Sequence, residues 1–348
     1  MQYVFDLLGL GIVVTTALPF IRKGYWWVRI WDFPRLQIAA VGLLTAAGYT
    51  LLMPLRPLSW AIFGATALAV AYQAYRIYPF TPLAPIQVLP SVDPDPARKL
   101  RLLISNVLFE NRESDRLLAT VSQTTPDIVL TMETNGFWAR ALAALEDEYP
   151  FSLKHPQENA YGMMLFSRLE LRDCEIRFLL DEDVPSFRTR VILRSGEDVW
   201  LYAVHPRPPH AFQASFDRDA ELLVVGREIR RSPDPTIVAG DLNDVAWSYT
   251  TRLFQRISGL MDPRLGRGLY NSFNARSRIM RWPLDHIFFD PDFRLCRLER
   301  LDPIGSDHFP MLVELSCEPE GADEQEARSL MPGDRAAARR KIREARER

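Results

Sequence analysis

Polar residues recur where short apolar runs end. Asn106 follows LRLLIS, Glu133 follows DIVLTM, His205 follows VWLYAV, and Asp241 and Asn243 follow TIVAG. Asp285 opens the run in WPLDHIFF, and Ser306, Asp307 and His308 precede MLVEL. Apolar strand interiors do not hold such groups unpaired, so carboxylates, amides and imidazoles at strand ends are expected to converge at one rim of a sheet. The set is rich in oxygen. Glu133, Asp241, Asp285 and Asp307 offer anionic oxygen, which suits a hard cation such as Mg²⁺ that keeps several of its waters. Asn106 and Asn243 can donate hydrogen bonds to an anionic substrate. His205 and His308 can bind a phosphate or move a proton at neutral pH. Together they imply metal-assisted attack of water on phosphorus. Each alone is a weak signal: a glutamate at a strand end is ordinarily solvated, and an asparagine there ordinarily belongs to a turn. His205-Pro206 could merely begin a loop, and Asp307-His308 merely cap a turn.

The elements that must position these residues are legible as runs. Leu100–Val107, Asp127–Met132, Gly162–Phe166, Arg190–Leu193, Val199–Val204, Thr236–Ala239, His286–Phe289 and Met311–Leu315 read as buried strands. Helical patterns lie between them, at Ser114–Gln123, Phe137–Glu148 and Phe212–Arg231. Strands mixed with helices predict an α/β domain. The adjacent pair joined by Ser195-Gly196 predicts an antiparallel hairpin, so the sheets are mixed. No internal repeat is visible. Three cysteines (Cys174, Cys296, Cys317) form no CxxC or Cys/His cluster, which argues against a disulfide framework or a zinc site.

The first third has a different character. Val4–Ile21, Leu36–Met53 and Leu58–Tyr75 are apolar runs of membrane-crossing length, with Asp6 the one charge among them. Trp26, Trp27 and Trp31 flank them, as aromatics do at a membrane boundary. Residues 1–78 are therefore expected to be a transmembrane region of about three helices in the cell (inner) membrane. The loop with Arg22, Lys23, Arg29 and Arg35 outweighs the one with Arg56, which favours a cytoplasmic catalytic domain. Prolines 79, 82, 85, 90, 94 and 96 predict an extended spacer over 79–98 that holds the next domain off the bilayer. The globular domain spans 99–317, and 318–348 reads as a charged, disordered or solvated tail.

In this order the motifs LRLLISNVL, PDIVLTMET, YGMMLFSR, VHPRPP, IVAGDLND, WPLDHIFF and GSDHFPMLVEL resemble the endonuclease/exonuclease/phosphatase superfamily, from about residue 100 to 316. That group includes DNase I-like nucleases, apurinic endonucleases, inositol phosphatases and neutral sphingomyelinases. The resemblance implies a DNase I-like four-layer sandwich: two packed mixed sheets flanked by helices, with the site at one rim. It implies a metal site of Asn106, Glu133 and Asp307 for Mg²⁺ or Mn²⁺. Asp241 would orient or deprotonate water, and Asn243 would stabilise the transition state. His308, paired with Asp285, and His205 would contact the phosphate. One departure is Met132 before Glu133, where the family commonly has glutamine; a contact behind the glutamate is expected to be missing.

The substrate is less legible. The whole chain carries a net charge of −2. Between Arg101 and Glu314, 26 Lys and Arg stand against 32 Asp and Glu, with none of the basic excess that a duplex-DNA enzyme presents. A phosphodiesterase or nuclease ranks first, and a lipid or small-molecule phosphoesterase second. An inactive scaffold on the same fold is a third reading. No specific protein partner is implied. Arg207 and His210 read as surface loop residues, Asp244 as a cap of the following segment, and Trp138 and Trp247 as packing residues.

Overall fold

The computed structural model describes residues 1–208 and 215–347. His210 and the start of the helix expected from Phe212 lie outside them. The chain begins with helices α1 (Gln2–Ala17, continued by a 3₁₀ turn to Ile21), α2 (Trp26–Arg29), α3 (Arg35–Leu51) and α4 (Pro57–Ile77). Strands β1 (Lys99–Asn106) and β2 (Ile128–Met132) flank α5 (Ser114–Thr124). Helix α6 (Gly136–Leu142) precedes β3 (Phe151–His155), β4 (Met163–Ser167), β5 (Leu171–Phe178), β6 (Pro185–Ile192) and β7 (Asp198–Val204). Next come α7 (Phe216–Ile229), β8 (Thr236–Asp241), α8 (Tyr249–Ser258), β9 (Asp285–Phe289), β10 (Phe293–Arg300), β11 (Met311–Cys317) and α9 (Asp334–Arg346).

Among the described residues the strands make two sheets, ordered β10-β11-β1-β2-β4-β3 and β5-β6-β7-β8-β9. Each is mixed: β1–β2 and β7–β8 are parallel, and the other pairs are antiparallel. The period-2 alternation of side chains sends Leu102, Ile104, Ile128 and Leu130 inward against Leu201, Ala203, Ile237 and Ile287 of the other sheet. Leu103, Val129 and Met164 point outward under Trp138, Leu117 and Val121. Tyr202, Val238 and Phe288 point outward under Leu222, Val225 and Phe254. The result is the expected four-layer arrangement of helices, sheet, sheet and helices. The β6–β7 hairpin forms as expected, with Gly196 at φ 97° in its turn.

Three strands were not expected: β3, β5 and β10. All lie at sheet edges. β5 is almost wholly exposed along its length, so it carries no apolar run for a sequence reading to find.

The tail also departs from expectation. It is not wholly solvated or disordered, because α9 packs on α7 and α8 through Ala337, Ala338 and Ile342, which meet Ala220, Leu223 and Leu253. Lys341 is buried, and its Nζ lies 2.7 Å from Asp219. The apolar stripe was masked by a helix otherwise crowded with arginine.

In the first third, Gln2–Ile21 is the one described helix long and apolar enough to cross a membrane. α3 has 17 residues, short of the roughly 20 required. α4 has 21 residues but carries Ser59, Gln73 and Arg76 and is not apolar enough. The expectation of three crossings thus reduces to one helix of suitable length and composition. The three helices pack together, and polar groups close both ends of the bundle. At the far end Asp6 accepts from Tyr49 (2.9 Å) and pairs with Arg56. At the near end Gln73 bridges Thr16 (2.9 Å) and Arg35 (2.9 Å).

The proline-rich stretch is irregular, as its prolines require, but it does not stand free as a spacer. Leu89 N donates to Gln325 (2.8 Å), Asp262 N donates to Gln87 (3.0 Å), and Gly266 N donates to Pro79 O (2.8 Å).

Candidate active site

Strand register brings the candidate residues to one rim. Asn106 pairs with Met132 across β1–β2, so Glu133 stands beside Asn106. Asp241 pairs with Asp285 across β8–β9. β11 runs antiparallel to β1, with Met311 opposite Ile104, so the segment before it, Ser306–His308, reaches the same rim. Ser306 ties the two together: its Oγ donates to Asn106 O (2.8 Å) and accepts from His308 N (3.0 Å).

The side chains form one buried polar cluster. Asn106 Nδ2 donates to Glu133 Oε1 (2.8 Å) and Asp241 Oδ2 (3.1 Å), and its Oδ1 accepts from Leu108 N (3.0 Å). His308 Nδ1 lies 2.7 Å from Asp285 Oδ2, and its Nε2 lies 3.5 Å from Asp241 Oδ2. His205 Nε2 stands 3.9 Å from the same Asp241 oxygen. Asn243 N donates to Asp241 Oδ1 (2.9 Å), and its Nδ2 donates to Pro206 O (3.0 Å). Asp307 is half-buried beside the cluster; its carbonyl accepts from Ala275 N (2.7 Å), and among the described residues its carboxylate has no hydrogen bond or ion pair.

The backbone is held in uncommon conformations here. Glu133 (φ 60°) and Asn243 (φ 50°) sit in the left-handed region, which costs a non-glycine residue about 1–3 kcal/mol where the surroundings enforce it. Gly240 has φ 142°, and a Cβ there would fall 2.0 Å from Val204 O. The glycine of GDLN lets β8 approach β7 closely and so sets Asp241 beside His205.

Electrostatics separate two roles within the cluster. Burial lowers the His308 imidazole, but the carboxylates of Asp285 and Asp241 and the hydrogen bond to Asp285 outweigh it and hold the ring at about 10. His308 is therefore positively charged at neutral pH. Burial pushes the Glu133 carboxyl above its ordinary range, against the pull of His205 and Asn106. The charged form of Glu133 is thus incompletely compensated by its neighbours.

The donor set fits a hard divalent cation. Among the described residues, four carboxylates meet two imidazoles. Among the described residues, Asp285 Oδ1 and His205 Nδ1 are buried without a hydrogen-bond partner, a costly arrangement unless something else occupies the space. Asp241, Asp285 and His308 offer ligand atoms within 4.8 Å of one another. Both His308 nitrogens already face carboxylates, Nδ1 toward Asp285 and Nε2 toward Asp241, so a cation at that trio would have to displace a proton from the ring. Glu133, held by Asn106 and Phe109 N (3.2 Å), and the free carboxylate of Asp307 suit the cation better.

Several neighbours were not legible as parts of the site. Phe273 packs on His308 with ring centroids 4.9 Å apart. Ser272 Oγ accepts from Leu284 N (3.2 Å) and Asp285 N (3.0 Å) and so fixes the start of β9. Tyr161 stands over His205 at 6.3 Å. The only signals for them were Tyr161 within YGMM and a polar NSFN stretch in a loop without pattern. Met132, before Glu133, turns its Sδ toward β8, where it accepts from Asp241 N (3.1 Å). Arg207 is half-buried rather than free at the surface: it pairs with Asp181 (2.6 Å) and lies 5.2 Å from the Tyr161 ring. Trp138 and Trp247 are packing residues, as expected.

Asp244 is not a cap. Ser248 caps α8 through Thr251 N (3.0 Å). Asp244 instead accepts from Ser248 Oγ (2.5 Å) and from Arg29 (3.1 Å) of α2. His286, beside Asp285, is neutral: burial and Arg264 hold it well below its ordinary value, and its two nitrogens meet Arg264 (2.7 Å) and Asp244 O (2.8 Å).

Comparison with known proteins gives the arrangement its context. The sequence pattern described as "Endonuclease/Exonuclease/phosphatase family" matches residues 103–308. No curated protein matches the chain. Among solved structures, D. rerio TDP2 complexed with single-strand DNA product superposes with a TM-score of 0.53 at 19% identity, over 63% of this chain and 99% of that one. The endonuclease/exonuclease/phosphatase from Beutenbergia cavernae gives 0.52 at 19% identity, over 64% and 72%. That from Bacteroides vulgatus gives 0.52 at 16% identity, over 63% and 99%. At such identities these likenesses show the fold alone.

Proposed function

The chain belongs to the endonuclease/exonuclease/phosphatase family, and from that premise we propose that it is a membrane-anchored, divalent-metal-dependent phosphodiesterase. The observation that carries the reading is the buried excess of carboxylate around a positively held His308. Glu133 and Asp307, with Asn106 orienting Glu133, would hold Mg²⁺ or Mn²⁺. The ion, when bound, supplies charge neutralisation at the phosphoryl oxygens and a more acidic water.

The chain's own groups do the rest. Asp241, fixed by the N–H of Asn243 and by Asn106, orients the attacking water and accepts its proton. His308, held charged by Asp285, contacts the scissile phosphate and donates to the charge that develops there. His205 binds the same phosphate from the other side of Asp241. Asn243 supports the transition state by fixing Asp241, since its own amide is engaged with Pro206.

The catalytic unit is residues 99–317, and α1 is its anchor in the cell membrane. Arg22 and Lys23 at the domain end of α1 favour placing that end in the cytoplasm. Arg29 and Arg35 carry no weight in that argument, because both are buried in ion pairs with Asp32.

A nucleic acid is the first substrate class by sequence, and the TDP2 structure with its DNA product keeps that class in view. A phosphoester held at the membrane is favoured by a specific observation: the anchor helices fold directly onto the back of the site. The Trp247 indole donates to Asp32 O (2.6 Å), and Arg76 donates to Trp247 O.

The test uses the full chain in detergent, because the helices and the proline-rich stretch pack on the domain. Hydrolysis of bis-p-nitrophenyl phosphate with Mg²⁺ or Mn²⁺ is expected, and it should be lost with EDTA and in His308→Ala. Turnover that survives both His308→Ala and Asp241→Asn would overturn the assignment of the site. Absence of turnover with either metal on diesters, monoesters and lipids would favour an inactive scaffold.

A further inference from the structure

The end of the helical bundle nearest the domain is bordered by two basic surfaces. The first is the loop 274–282. Gln37 Nε2 of α3 donates to Ile279 O (2.8 Å), which ties this loop to the bundle. Ala275 N of the same loop donates to Asp307 O (2.7 Å), and Phe273 at its base packs on His308. A short ring ladder continues inward: Phe273 stacks on Trp282 at 6.0 Å, and Trp282 meets Phe33 at 5.8 Å, between α2 and α3. At its tip Ile279 is 76% exposed and Met280 44%, with Arg276 and Arg278 exposed beside them.

The second surface is α9. Arg339, Arg340, Arg343 and Arg346 are exposed along it. It reaches the bundle through Lys23–Glu344 (3.7 Å). A cavity of about 400 Å³ between α7 and α9 is lined by Arg227, Arg230, Arg231, Arg335 and Arg339. The whole chain carries a net charge of −2, so this gathering of arginine is local segregation rather than general composition.

At the same end Phe20, Tyr25, Trp27 and Tyr78 are exposed. Aromatic and apolar tips interleaved with guanidinium groups at the end of an apolar helix suit the headgroup layer of a bilayer. Guanidinium pairs with phosphate oxygens in a bidentate fork. A nucleic acid would use the arginines, but it would leave Ile279 and Met280 bare in water.

We propose that this end of the molecule docks on a leaflet rich in anionic phospholipid, with the 275–281 loop and α9 seated among the headgroups. The active site then opens at headgroup depth and takes its phosphoester from the leaflet. The inference rests on the phosphodiesterase reading of the site and on α1 as a membrane span. Hydrolysis there adds the oxygen of water to phosphorus and breaks one P–O ester bond. Asp241 takes the water's proton, and in the net balance the departing alcohol oxygen gains one.

The experiment reconstitutes the full chain in phosphatidylcholine vesicles with or without phosphatidylglycerol. Rates are read on three probes: phosphatidylglycerol in the vesicle, soluble bis-p-nitrophenyl phosphate, and a single-strand oligodeoxynucleotide. Headgroup-phosphoester cleavage is expected in the wild type. The ratio of lipid to soluble rate should fall about tenfold in Arg276→Gln/Arg278→Gln/Ile279→Asp. A readout independent of activity places an environment-sensitive dye on Met280→Cys in a Cys174→Ser background. Its emission should shift to the blue, and brominated lipid should quench it, more strongly with phosphatidylglycerol present.

An unchanged ratio, or a dye that stays in water, overturns the proposal. So does a wild type that cleaves the soluble diester and the oligonucleotide but not the lipid, an outcome that leaves the phosphodiesterase reading standing. Failure to cleave even the soluble diester with Mg²⁺ or Mn²⁺ would instead remove the reading beneath it.

Discussion

Two buried charged clusters lie on either side of a single turn, Asn243–Asp244, and they are built on opposite principles. Behind the turn, Arg29, Arg35, Arg218 and Lys341 face Asp32, Asp219 and Asp244 in ion pairs of 2.6 to 3.5 Å. In front of it, among the described residues, Glu133, Asp241, Asp285 and Asp307 face His308 and His205 alone. Burial acts on the carboxylates of both clusters with different results. Asp219 lies far below the ordinary range because Lys341, Arg218 and Arg29 overcome its desolvation. Glu133 lies above it because nothing overcomes its desolvation. A buried cluster whose charges close among themselves is a joint. One left with an anionic excess has room in its charge balance for a cation and a phosphate. The joint also ties the N-terminal helices to the turn that carries Asn243, since Arg29 grips Asp244 while Arg218 donates to Asn243 O (2.6 Å).

The comparison can be broken most sharply in the front cluster. Asp241→Asn and His308→Ala should each lower diester turnover at least about 1,000-fold, equivalent to roughly 4 kcal/mol of barrier, with the melting temperature little changed. A melt that collapsed with the activity would make the front cluster structural as well. Behind the turn the effect should fall on stability. Arg29→Ala leaves Asp32 and Asp244 buried and short of a partner, and should cost about 3–5 kcal/mol in unfolding measurements. Arg29→Lys should recover little of it, because a single ammonium cannot span both carboxylates.

A smaller effect distinguishes the clusters by their response to metal. Mg²⁺ or Mn²⁺ at a hundredfold excess over its Kd should stabilise the chain by about 2.7 kcal/mol. Glu133→Gln should lose that increment and Arg29→Ala should keep it, as thermal melts with and without EDTA would show. The smallest effect is expected at Met132→Gln. An amide oxygen can replace Sδ as acceptor for Asp241 N, so stability should move by less than about 1.5 kcal/mol and turnover by less than tenfold. A larger loss would mean that the sulfur contact is specifically required beneath the site.

Much of this was legible before the fold was known, and the parts that were not share a physical cause. Central strands announce themselves because both faces are buried, as in Ile128–Met132 and Thr236–Asp241. Edge strand β5 faces water along most of its length, and β3 and β10 are only partly buried, so none carries an unbroken apolar run. The rim residues were visible because polar groups at the ends of apolar runs are unusual there. Phe273, Ser272 and Tyr161 were not, because a loop carries no period to fix where its side chains point. Asp244 looked like a helix cap, for its partner Arg29 lies 215 residues away in sequence.

The sequence by itself determined the α/β sandwich, the family and the order of the site motifs, because these depend on local pattern and on strand-end chemistry. Only the tertiary structure decided that the proline-rich stretch and α9 lie against the domain. It alone decided that two of the arginines first counted as free charges are buried, and that the N-terminal helices reach the back of the Asn243–Asp244 turn. Those outcomes depend on which charges meet across the chain. A buried ion pair is set by the packing of distant segments, and no spacing within either segment records it.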